Sequence, residues 1–142
     1  MISLKDYLTA SGSYPDREKN PELNQELLNN ASNLLDKVNK LLEELQISKV
    51  RVSSGFRPST VNASISGAAP KSNHTKCMAV DIIDTKDQSI ANKLEQDFIK
   101  NGDNSILVRH GLYMESPKNT IGKNTNWVHL QTKPTKRRIF IP

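Results

Sequence analysis

A lone cysteine, Cys77, in 142 residues leaves no partner for an internal disulfide. It also rules out a structural zinc site built from cysteines, so any metal must be held by histidine and carboxylate. Aromatic residues make up only 5% of the chain, too few for a base-stacking platform. Neither a glycine-rich phosphate loop nor zinc-finger spacing occurs, which argues against nucleic acid as a partner. No apolar run approaches the length that crosses a bilayer. The opening "MISLKDYLTASGSYPDREKN" lacks the basic segment followed by an apolar stretch that marks a secretory signal. The expectation is a chain made in the cytoplasm without a signal peptide and without a membrane span. With six glycines and seven prolines, the composition is neither collagen-like nor disordered.

What is present describes an ordinary globular protein. Hydrophobic residues are 35% and charged residues 25% of a chain whose length fits one domain with a real core. The formal charge of +5 and pI near 9.4 favour an anionic partner such as nucleic acid, an acidic polymer or the cell envelope. Much of the excess lies in "KPTKRRIF", which reads either as a solvated basic tail or as a binding patch.

The most regular apolar pattern lies in "NPELNQELLNNASNLLDKVNKLLEELQIS". Asn20 suits a cap and Pro21 a first helical position, while Leu23, Leu27, Ala31, Leu34, Val38, Leu41 and Leu45 recur at three- and four-residue steps. This predicts an amphipathic helix whose stripe packs on a core rather than zipping to a partner. "KVRVSSG" reads as a short strand, "STVNASIS" as a brief helical turn, "GAAPKSN" as loop and "MAVDII" as a buried strand. A second helix is expected over "DQSIANKLEQDFIKNG", with Gly102 just past its end. Strands are expected in "SILVRHGLYME", "NWVHLQT" and "RRIFIP", the first two separated by the long polar loop "SPKNTIGKNTN". The pattern predicts an α+β fold with a mostly antiparallel sheet packed against helices.

The chemistry-bearing residues are few. Of three histidines, His74 falls in a polar loop, His110 in an expected strand and His129 in "NWVHLQT". Asp81 sits inside the apolar "MAVDII", where a buried carboxylate is costly without a positive partner. If the two strands are neighbours, Asp81 and His129 share a cleft into which the loop delivers His74. Two imidazoles and a carboxylate with an open fourth position make a catalytic-type zinc set. The alternative reading of the same residues is two satisfied histidines and an aspartate bonded to backbone amides.

"SSGFRP", "GAAPKSNHTKCMAVDI" and "WVHLQT", in that order, resemble the M15 peptidase family. These are zinc D-Ala-D-Ala carboxypeptidases and phage cell-wall endopeptidases of the Hedgehog/DD-peptidase fold, and the likeness is to the short phage-type branch. The family pattern is a strand ending in S-G-x-R, then S-x-H-x-x-G-x-A-x-D, then W-x-H, and the likeness extends from about Leu23 to "RRIFIP". The resemblance implies a single peptidase domain over 1–142, with 1–20 as a lead-in, and one Zn²⁺ held by His74, Asp81 and His129. It implies that Arg57 faces the substrate's carbonyl or carboxylate, which a guanidinium binds through two parallel hydrogen bonds; the alternative is a surface turn arginine before Pro58. Ser72 is expected to bond backbone or a group near the metal, and Trp127 to pack or to wall the substrate cleft. The implied activity is hydrolysis of an amide bond in the peptide part of peptidoglycan, with a monomer as the default. The protein would act after lysis, through a holin, or within a virion. Two rivals are an inactive zinc-containing wall-binding or virion module and a nucleic-acid-associated protein suggested by charge alone.

The sequence departs from the family pattern twice. Cys77 stands where glycine is common, and a positive φ there would cost on the order of 1 kcal/mol; its side chain reads as a small buried hydrophobe rather than a ligand. Asn126 occupies the position three before the final histidine where the family carries an acid that takes a proton from water, and a neutral amide cannot do so. Glu115, ending the strand expected to run antiparallel to "NWVHLQT", is the candidate substitute, against a structural acid at a strand end. His110 is expected near that strand end, beside the site or on the surface rather than as a fourth ligand.

Overall fold

The computed structural model describes residues 1–10 and 17–142; of the lead-in, residues 11–16 lie outside the described residues. Among the described residues, five α-helices and five strands follow in the order α1 (Leu4–Leu8), α2 (Gln25–Glu44), β1 (Val52–Ser54), α3 (Ser59–Ser64), β2 (Ala79–Ile83), α4 (Ser89–Asn101), α5 (Ile106–Arg109), β3 (Tyr113–Glu115), β4 (Trp127–Gln131) and β5 (Ile139–Phe140). The strands form one sheet in the order β1-β2-β4-β3-β5. All neighbours are antiparallel except β3 and β5, which run parallel. This is the α+β, mostly antiparallel architecture that the sequence predicts.

Period-two alternation gives the sheet two different faces. Val80 and Ile82 of β2 and Val128 and Leu130 of β4 join Leu34, Val38, Leu41 and Leu42 of α2 in one apolar cluster. Each fully buried leucine of that kind contributes roughly 1.5–3 kcal/mol. The intervening residues Asp81, His129 and Gln131 belong to the opposite face. The leucine stripe of α2 is thus packing, and it supplies the floor against which the functional face is held flat.

The N-terminal segment contributes part of itself to this core. Ser3 and Asp6 form a reciprocal cap on α1, and Asn39 clamps the backbone of Ile2 from both sides, accepting from its N–H at 2.9 Å and donating to its carbonyl at 3.0 Å. Ile2, Tyr7 and Leu8 are buried in the main cluster. The Tyr7 hydroxyl donates to the Ala79 carbonyl at 2.9 Å, at the head of β2.

Two expectations about elements are corrected. α2 begins at Gln25, capped by Asn24, whose side chain accepts from Leu27 N–H at 3.0 Å. Asn20 and Pro21 instead form a preceding turn, in which the Asn20 side chain accepts from Glu22 N–H at 2.9 Å. The stretch "SILVRHGLYME" is not one strand. Ser105 caps the single-turn helix α5, Gly111 at φ 66° closes it, and only Tyr113–Glu115 is extended. A tertiary bond secures that helix start: Ile106 N–H donates to Asp97 at 2.7 Å. α4 ends as expected, with Gly102 at φ 53°. Among the described residues, no helix is long and apolar enough to cross a membrane.

Candidate metal centre and cleft

The β2–β4 register sets Asp81 directly opposite His129. On either side, Ser54 of β1 pairs with Asp81, and Glu115 of β3 pairs with Phe140 of β5. Continuing the register of Tyr113 with Gln131 and Met114 with Leu130 brings Glu115 abreast of His129. One transverse row, Ser54, Asp81, His129, Glu115 and Phe140, therefore crosses the sheet.

His74 reaches this row from a 3₁₀ turn, Asn73–Lys76. Ser72 caps the turn, its hydroxyl accepting from His74 N–H at 3.3 Å, and Arg57 N–H donates to the His74 carbonyl at 3.1 Å. Cys77 then turns the chain into β2 in the left-handed conformation, at φ 55°, so the strain that glycine would have avoided is present. Its side chain lies in the apolar core, and burial pushes the thiol up to about 12. It is a protonated core residue and not part of the cluster below.

His74, Asp81 and His129 each offer one ligand atom within 4.8 Å of the other two. Their side chains are 3%, 11% and 12% exposed, so their polar atoms face mainly one another. His74 Nδ1 lies 2.9 Å from the Gly55 carbonyl. A carbonyl only accepts, so the proton is on Nδ1. That leaves Nε2, 3.3 Å from Asp81 Oδ2, as the free donor atom. Burial lowers the His74 pKa and favours the neutral ring. For Asp81, burial acts to raise the pKa, but positive charge on His74 when that ring is protonated, and the hydrogen bond from His129, hold the carboxyl well below its ordinary range. A neutral imidazole lone pair facing an ionised carboxylate is unfavourable unless a cation lies between them. Ligands about 2.0–2.1 Å from a tetrahedral ion stand roughly 3.3 Å apart, the separation seen for this pair. The residues therefore fit a divalent cation.

His129 presents Nδ1 to Asp81 Oδ1 at 2.7 Å and Nε2 to Gln131 Oε1 at 3.0 Å. Burial acts to lower its pKa, but the Asp81 hydrogen bond and charge more than offset this, and the ring's pKa is raised. The Gln131 carboxamide is itself oriented, since its Nε2 donates to the Lys133 carbonyl at 2.7 Å and its Oε1 accepts from Asn73 at 3.2 Å. Gln131 thus keeps a proton on His129 Nε2, so that a metal would take Nδ1 by displacing the proton now shared with Asp81, the usual task of an outer partner. The sequence reading passed over Gln131. The two-residue step from His129 on a strand was the signal that placed it on the same face.

A second aspartate differs from the first in its partners. Asp84, three residues after Asp81, accepts from the N–H groups of Thr85, Ile90 and Ala91 at 2.7–3.0 Å and so caps α4. Among the described residues, no backbone N–H donates to the Asp81 carboxylate. That carboxylate meets the two imidazoles and Arg57 Nη2, the last at 3.4 Å.

A groove with a volume of about 560 Å³ opens over the row and is lined by Arg57, Ser72, Glu115 and Trp127 together with the three candidate ligands. Arg57 is not a free surface arginine: its Nε donates to the Ser54 hydroxyl at 2.8 Å. Burial raises the Glu115 pKa, His129 acts to lower it, and Asp81 adds to the rise. Asn126 does not line this groove. Its amide donates to the Thr85 and Lys86 carbonyls and accepts from Gly122 N–H, so it fastens the loop before β4. His110 is also elsewhere. It follows α5 and faces Glu44, at the end of α2, at 3.2 Å, not the strand end near Glu115.

A family model described as Peptidase M15 matches residues 17–131. With most of its length so matched, the chain belongs to the peptidase M15 family, a family of zinc metallopeptidases. No curated protein and no solved structure matches it.

Proposed function

We propose that the protein is a zinc-dependent hydrolase of an amide bond in the peptide part of peptidoglycan, of the phage type that acts in lysis or from a virion. The observation that carries this reading is the pair of tautomer locks. Gly55 fixes the proton of His74 on Nδ1 and Gln131 keeps one on His129 Nε2, so the opposite nitrogen of each ring turns toward the Asp81 carboxylate. His74 Nε2, Asp81 and His129 Nδ1 would hold the ion. Zinc supplies, when bound, a Lewis acid that polarises a carbonyl and makes water nucleophilic near neutral pH.

The chain's own residues supply the rest. Glu115 takes the proton of the attacking water and returns it to the nitrogen of the departing amine, so no proton is left over. A carboxyl raised by burial suits both halves of that transfer. Arg57, anchored by Ser54, holds negative charge that develops on the carbonyl oxygen or a neighbouring substrate carboxylate. Trp127 walls the groove, and Ser72 keeps the His74 turn in shape. The basic surface suits an anionic wall.

The test compares purified cell walls treated with the zinc-loaded chain and with Glu115→Gln, measuring zinc content and released amines. The expected result is equal zinc in both and a drop in amine release of roughly 100-fold or more in the variant. Bound zinc with no release by the unaltered chain would replace this reading with a wall-binding module.

A further inference from the structure

Beside the metal cleft lies a second cavity of about 660 Å³. The two share Asn73, Gln131, Phe140 and Pro142 as walls, so they lie side by side. Ile139 and Phe140 give the second part an apolar lining, and Lys136 and Arg137 stand on its rim. Both cations are exposed, and among the described residues neither makes an ion pair. Arg138, by contrast, is committed: its guanidinium stacks 3.9 Å from the centre of the Tyr113 ring and donates to the Leu112 carbonyl at 3.1 Å. Residues 132–142 carry four cationic and no acidic side chains, and they lie beyond the family-matched stretch 17–131.

An apolar lining flanked by unpaired cations is complementary to a short aliphatic chain bearing carboxylates. Because the cavity adjoins the metal cleft across shared walls, a peptide lying in the cleft reaches it within a few residues of the reacting bond. A detached anionic polymer has no such reason to follow the groove. We infer that this groove is an accessory subsite for a carboxylate-bearing segment of the peptide substrate, held by Lys136 and Arg137. The inference rests on the peptidase reading given above.

The experiment uses zinc-loaded Glu115→Gln chain, which holds peptide without turnover, titrated by calorimetry with two synthetic wall-type stem peptides. One has free side carboxylates and the other has them amidated. The titrations are repeated with Lys136→Ala and Arg137→Ala added, after circular dichroism confirms the fold. The acidic peptide is expected to bind roughly three- to tenfold more tightly, an advantage that shrinks with salt and vanishes when both cations are removed. Equal affinity for the two peptides, no binding of either, or a preference untouched by the double substitution overturns the subsite. So does competition by poly(glycerol phosphate) that depends on the two cations when peptide binding does not, which would make the groove a wall-polymer site. If the unaltered chain cleaves neither peptide while the preference follows the two cations, the hydrolase reading fails and the subsite stands. Cleavage of both without any preference leaves the hydrolase and removes the subsite.

Discussion

Residues 1–10 and 132–142 both flank the family-matched stretch, and the sheet treats them in opposite ways. The first segment sends its apolar residues Ile2, Tyr7 and Leu8 behind the site: Tyr7 is fully buried, and its carbonyl accepts from Phe56 N–H at 3.3 Å. The approach is so close that a Cβ on Gly55 would lie 1.9 Å from that carbonyl oxygen. Gly55 in turn holds His74 through its own carbonyl. The second segment is basic and stays in front, with Lys133, Lys136, Arg137 and Ile141 exposed. The contrast is one of placement: the first segment supports the loop that carries His74 from behind, and the second contributes β5 to the sheet while leaving its cations exposed.

The comparison breaks most visibly by truncating each flank. Tyr7→Ala should cost about 3–5 kcal/mol in urea unfolding, as for other buried aromatics, while Ile141→Ala, at a side chain that is 76% exposed, should change stability by less than about 0.5 kcal/mol. Equal costs would mean that the front flank is packed like the back. Gly55→Ala should overpack the contact with Tyr7, cost about 1–3 kcal/mol, and weaken zinc binding by shifting the carbonyl that orients His74. Gln131→Leu tests the front support of the other imidazole. Zinc affinity should fall roughly 10- to 100-fold with the fold intact by circular dichroism, and unchanged affinity would deny Gln131 its positioning role. The smallest effect lies away from both flanks, at Glu44. Hydrogen bonds from Arg109 and then His110 hold its carboxyl below the ordinary value. Its contribution to stability is therefore present above the unfolded glutamate pKa and is lost as pH falls through the lowered folded one. Arg109→Ala should flatten that part of the stability–pH curve only slightly, because the pair is exposed.

The sequence made the sheet's two faces legible because period-two alternation in "MAVDII" and "WVHLQ" survives in the fold, and the three-four spacing of α2 does so equally. Less legible were features set by competition between nearby signals. Asn20-Pro21 and Asn24 both offer a start to α2, and only packing decides that Asn24 takes it. "SILVR" satisfies strand and helix equally as a short apolar run; Ser105 and Gly111 were its helix signals, and Asp97 completes them from another element. The candidate ligands were readable from residue type and order, whereas Gln131, Gly55 and Tyr7 carry no chemical signature and matter only through what they touch. Asn126 shows the reverse case, since a pattern position drew attention to a residue whose amide holds a loop.

The most direct test is a zinc titration of the purified, metal-stripped chain followed by thermal unfolding. The account predicts one zinc per chain, reversible by chelator. At a hundredfold excess over the dissociation constant the melting temperature should rise by roughly 5–10 °C, and this rise should be lost in His74→Ala and in His129→Ala. A chain that takes up no zinc, or whose melting is indifferent to it while those variants remain folded, would contradict the shared cation on which the site depends.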